Sequence, residues 1–144
     1  MSSADQKITE PTPEDLQRLE LQRGTLERYI DDESSFANYQ KTAGKLGLIR
    51  TLLEESFVAP EQKYEVQCMG VVLGDAFVEH LGFEWVIVED AHGRDAAIRL
   101  PGTSIILFPL TMISKRIERG ESVDVFDLFN GVVDEVDRIR GFAD

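Results

Sequence analysis

Cys68-Met69-Gly70-Val71-Val72-Leu73-Gly74-Asp75-Ala76-Phe77-Val78 is the stretch on which the fold turns. At 100° per residue its apolar side chains point in nearly every direction, so a helix built from it has no solvent face and belongs at the centre of the fold. Gly70 and Gly74 fall one turn apart on one side of that helix. Missing side chains there leave a notch for another backbone, the usual meaning of such a pair outside a membrane. Asp75 is the one charged side chain in the stretch. A buried carboxylate without a partner is costly. Asp75 therefore either meets a donor, with Arg99, Lys115, Arg116 and the Trp85 indole as candidates, or lines a cleft that water reaches.

Ala59-Pro60-Glu61 marks the start of this helix and Leu81-Gly82 its end, which places it at about 60–81. Upstream, Thr12-Pro13-Glu14-Asp15 offers a capping hydroxyl, a proline for the first turn and acids that complement the helix dipole. A first helix is expected to about Ile30, with Leu16, Leu19, Leu26, Tyr29 and Ile30 apolar and Gly24 a weak point. A second is expected over about 35–56, with Leu46, Ile49, Leu52, Leu53 and Phe57 inward. Residues 1–11 carry no core-forming pattern and read as a flexible tail.

Downstream, Glu84–Asp90 is rich in β-branched and aromatic residues, Ala91-His92-Gly93-Arg94 is a turn, and Ala96–Leu100 returns. Pro101-Gly102 is a second turn and Thr103–Phe108 a third apolar strand, which predicts a three-stranded antiparallel meander. Pro109 opens a fourth helix that Gly120 closes. A fifth is expected over about 122–140, with Val125, Phe129, Val132, Val136 and Ile139 inward. The whole reads as α+β: about five helices around the meander, one domain over 12–144, with no internal repeat.

A chain of 144 residues can bury roughly 70% of its unfolded surface without a staple. Cys68 is its one cysteine, so no intramolecular disulfide or multi-cysteine zinc site can form, and a reducing, cytoplasmic setting is expected. The net charge of −12 repels phosphate backbones and anionic lipid. The longest apolar run, Ile105 to Ile113, is too short for a bilayer and contains Pro109. Neither nucleic acid nor membrane is an expected partner.

Taken together, the helix Gly70-Val71-Val72-Leu73-Gly74-Asp75, Trp85, Asp90-Ala91-His92-Gly93, Pro101-Gly102, Phe108-Pro109 and Lys115-Arg116 resemble, in order and spacing, a family of small bacterial domains of unknown function. The resemblance covers roughly residues 60–138. It implies a compact α+β fold and supplies no activity and no catalytic residue.

Few residues have the pattern of a catalytic set. Asp75 and Glu79 stand four apart on nearly one helical face, a spacing open to an acid/base pair or a metal, and Asp90 or His92 could be brought near by the hairpin. His92 is otherwise simply a turn residue, and His80 projects about 140° away from Asp75 around the helix. Lys115, Arg116 and Arg119 form a basic cluster that either complements a helix end or binds an anionic group, Arg116 being the bidentate candidate. The last helix carries Asp124, Asp127, Asp134, Glu135 and Asp137. No phosphate loop, nucleophile elbow or zinc motif is present. The leading expectation is a non-enzymatic module that binds another protein through its acidic surface, without metal or cofactor. A small hydrolase or metal-assisted enzyme is the alternative, and a homodimer remains open.

Overall fold

The computed structural model describes residues 6–143 of the chain. The fold is α+β, and among the described residues it has six α-helices and a four-stranded antiparallel sheet. Strand β1 (Lys7–Thr9) is followed by α1 (Pro13–Glu27), α2 (Glu33–Tyr39), α3 (Thr42–Glu54) and α4 (Lys63–Leu81). Strands β2 (Glu84–Asp90), β3 (Gly93–Arg99) and β4 (Ile106–Leu107) come next, then a 3-10 turn at Pro109–Thr111, α5 (Met112–Glu118) and α6 (Val125–Ala143).

Helix α4 is the axle. Val71, Val72, Leu73, Ala76 and Phe77 are fully buried along it, and the left-handed backbone of Gly82 (φ 82°) ends it. The two glycines do the work expected of a notch. A Cβ on Gly70 would lie 2.5 Å from the Leu110 Cα, and one on Gly74 would lie 2.6 Å from the Trp85 ring. The proline turn after β4 and the indole of β2 are thereby pressed directly against the helix. Around this axle Leu26, Ile49, Leu52, Ile98, Ile113 and Phe129 complete one core. A smaller cluster, Val86, Val88 and Ala97, lies apart from it.

The strand order is β1-β2-β3-β4. The antiparallel order of the meander is as expected, with Trp85 opposite Ile98 and Val86 opposite Ala97, but β3 begins at Gly93 rather than Ala96, β4 is Ile106–Leu107 where 103–108 was expected, and the sheet has four strands rather than three. The extra strand is Lys7–Thr9, within the stretch 1–11 read as a tail, where Ile8 pairs with Val88. Three residues with one half-buried side chain carry no alternation long enough to be read. The first five residues of that stretch lie outside the described residues.

The helix count also differs by one. The segment expected as one helix over 35–56 is two, because Gly44 packs where a Cβ would lie 1.8 Å from the Asn38 carbonyl oxygen, and the chain doubles back there. Ser56 (φ 57°) then turns the chain so that Val58 is buried and Phe57 faces solvent, the reverse of the expected inward Phe57. In α1 the inward face is Asp15, Leu19, Gln22 and Leu26, while Leu16 and Tyr29 are exposed. Helix α4 starts at Lys63 rather than near 60, since Ala59 donates its N–H to the Gln62 side chain in a turn ahead of the helix.

Candidate functional site

Asp75 is neither solvated nor unpartnered. Arg23 of α1 donates Nε to Oδ2 at 2.5 Å and Nη2 to Oδ1 at 2.9 Å, and the Trp85 indole donates to Oδ1 at 3.1 Å. The indole was among the expected donors. The cation is Arg23 rather than Arg99, Lys115 or Arg116, because α1 packs along the Asp75 side of α4. The carboxylate beside it pushes the Arg23 guanidinium upward from its ordinary pKa.

Glu79 has a separate role. Its Oε1 accepts the Thr42 N–H at 3.0 Å, capping the first turn of α3 from another helix, and its Oε2 accepts from Lys45 Nζ at 3.1 Å. The Lys45 ammonium also donates to the Tyr39 and Gln40 carbonyls, each at 3.0 Å, so this buried lysine has three acceptors for its three protons. Burial works to raise Glu79, but the Lys45 and Thr42 contacts outweigh it and leave its pKa lowered. Asp75 and Glu79, four residues apart, are thus held by different partners on different helices.

His92 is exposed in the β2–β3 turn and donates its N–H to Asp90 Oδ1 at 2.8 Å. Gly93 (φ 134°) then returns the chain. Both residues are used by the hairpin. Burial raises the Cys68 thiol above its ordinary pKa, which keeps it protonated. Among the described residues no three His, Cys, Asp or Glu side chains stand together as a metal site.

The sequence also hides Asp15. It closes a capping box with Thr12, and both its oxygens accept from Arg94 of β3, at 2.5 and 2.6 Å. The Arg94 hydrogen bonds, aided by those from Thr12, outweigh burial and hold this carboxyl well below the usual range. The Thr12 cap was legible in Thr12-Pro13-Glu14-Asp15, with Asp15 read only as a first-turn acid. The partner 79 residues away was not.

A cleft of about 750 Å³ lies between β4 and α6, and it gathers part of the expected binding set. Asp124 accepts the Asp127 N–H at 3.0 Å and so caps α6. From there one face of the helix lines the cleft, with Leu128, Val132, Val136 and Ile139 as its apolar part. Ile105 and Leu107 form the opposite wall. Carboxylates of Glu121, Asp124, Asp127 and Glu135 also line the cleft, Glu121 in an ion pair with Arg119 and Glu135 in one with Arg138. Arg116, half-buried, is the one cation lining it; it reaches the Met112 carbonyl at 3.5 Å and forms no ion pair among the described residues. Lys115 and Asp134 are exposed and do not line the cleft. Ile139, expected in the core, is 41% exposed there.

A family model described as a domain of unknown function, DUF3806, matches residues 45–129, more than half of the chain. No curated protein matches. A crystal structure of a protein from Bacteroides thetaiotaomicron VPI-5482 shares the fold over 90% of this chain, with a TM-score of 0.68 and 13% identity. The matched region is 48% of that chain, so this protein spans about half its length.

Proposed function

This chain belongs to the DUF3806 family of domains of unknown function, a membership that brings no activity with it, and from that premise we propose that the protein is a non-enzymatic module that binds another protein in the cleft between β4 and α6. The observation that carries this reading is the make-up of the cleft. Its apolar surface, Leu107, Leu128, Val132 and Ile139, is bordered by Asp124 and Asp127, which have no ion pair among the described residues, and by Glu121 and Glu135, which pair with Arg119 and Arg138, and it is faced by the Arg116 guanidinium. Such a surface suits a segment with apolar side chains to bury and lysines or arginines to meet these acids. The net charge of −12 steers a basic partner toward it and steers nucleic acid and anionic membrane away.

The enzyme alternative has no comparable support. Asp75 is bound by Arg23 and Trp85, Glu79 by Lys45 and Thr42, and His92 and Asp90 are occupied at the far end of a hairpin. A second copy of the chain is a poor occupant, because it brings the same acids to the contact. A reducing, cytoplasmic setting suits the one buried thiol, Cys68.

The test is a titration of the full chain, followed by amide NMR, with a short synthetic peptide alternating valine and lysine and with its valine-glutamate counterpart. The basic peptide should shift amides of α6 and β4 and the acidic one should not, and the shifts should weaken with added salt. Equal response to both peptides, or none around the cleft, would remove the reading.

A further inference from the structure

A binding cleft with an acidic border admits an occupant of any backbone shape, and the edge of the sheet decides which shape fits. β4 is the last strand of the sheet, paired with β3 on one side and with no strand on the other among the described residues, and its Ile105 and Leu107 line the cleft. The Leu100 N–H donates to the Ile105 carbonyl at 3.1 Å, and the register sets Arg99 opposite Ile106 and Ile98 opposite Leu107. Antiparallel ladders alternate, so the Ile105 carbonyl and the backbone groups of Leu107 face β3, the Ile105 N–H being taken by Thr103 Oγ1 at 3.0 Å, whereas Ile106 turns its N–H and carbonyl to the open edge. Side chains alternate as well. Ile105 and Leu107 line the cleft, whereas Ile106 packs with the Val86 and Ala97 cluster away from it.

Resting on the reading of this cleft as the docking surface, we infer that the occupant is an extended segment of the partner, which adds to β4 as a fifth strand. Its backbone bonds to the N–H and carbonyl of Ile106. Every second side chain then enters the cleft beside Leu107, against Val132 and Leu128 of α6. Basic residues of the segment meet Asp124 and Asp127 on the helix wall. The cleft, at about 750 Å³, has the size of an ordinary ligand site, so a strand and a row of side chains fit between sheet edge and helix. A docked helix would use only side chains and leave the Ile106 groups to water.

The experiment compares two probes on the full chain: the alternating valine-lysine peptide, and the same peptide with every backbone nitrogen methylated. Strand addition predicts that the first probe slows hydrogen exchange of the Ile106 amide, and that methylation weakens binding by about tenfold or more, since the ladder bonds go with the peptide N–H groups. The Ile106→Pro variant should lose the first probe as well. Its missing N–H is one that β3 does not use, and an unchanged amide spectrum elsewhere would show that it is folded. Should that variant fail to fold, exchange at Ile106 in the unmodified chain still decides. If both probes shift α6 equally while Ile106 exchanges as before, strand addition is wrong and the docking surface stands. If neither probe shifts the cleft, both fall.

Discussion

Arg23 and Asp75, 52 residues apart in sequence, share two hydrogen bonds that tie α1 to the central helix. The pair is the reason a carboxylate can sit in a helix that is otherwise apolar all round. Asp75 keeps only 13% of its side chain exposed and Arg23 only 22%, so neither charge can be left alone without cost.

Replacing Asp75 with Asn should therefore act on stability. It leaves the Arg23 guanidinium with only its exposed partner Glu20 and should cost about 1–3 kcal/mol, seen as a lower urea midpoint with little change of slope. Binding of the valine-lysine probe at the cleft, which Asp75 does not line, should survive under conditions where the variant is folded.

Two glycine-to-alanine changes should have opposite signs. Gly70→Ala drives a methyl against the Leu110 backbone, which cannot move without carrying the proline turn, and should destabilise by about 1–3 kcal/mol. Gly24→Ala, within α1 and with nothing inside 4 Å of the new carbon, should stabilise by about 0.5–1 kcal/mol through helix propensity. Thermal unfolding of both variants checks the pair.

Asp15 gives the acid side of the stability curve a defined component. Its folded pKa lies below the ordinary 3.8, so the ionised form is the one that folding favours. That contribution is complete above the unfolded pKa and disappears as pH falls below about 4 toward the folded value. Asp15→Asn should flatten the loss of stability between about pH 4 and pH 2. A slope unchanged by the substitution would mean that Arg94 does not hold this carboxylate in solution.

Arg116 should report the sign of the cleft. Lacking an ion pair, it contributes little to the fold, and Arg116→Met should alter stability by less than about 0.5 kcal/mol. Removing the one cation from the cleft should tighten the valine-lysine probe at low salt, with the difference shrinking as ionic strength rises. Asp124→Lys with Asp127→Lys should do the reverse.

Much of the scaffold was open to reading because it is local. The all-round apolar run at 68–78, the paired glycines and the β2–β3 turn at His92-Gly93 each state their conformation within a few residues, and each took it. The break between α2 and α3 was hidden, since Gly44 reveals its purpose only against the Asn38 carbonyl. Strand β1 was hidden by its brevity.

At the candidate cleft, the acids of α6 were visible as a charged helical face, yet nothing in their spacing separated Asp124 and Asp127, which line it, from Asp134, which does not. Arg116 was legible as the bidentate candidate of its basic cluster, while its place beside α6 was not.

By itself, then, the sequence determined that α4 is central, that the strands around His92 form a hairpin, and that a charge of −12 must be carried on the surface, because burial and turn geometry are written in composition and short spacing. Only the tertiary structure decided that Arg23 answers Asp75, that Arg94 answers Asp15, and that Ile105 and Leu107 of the edge strand line a cleft with α6. Those relationships join residues far apart in the chain, and their energy depends on distance and shared burial, quantities that exist once the chain has packed.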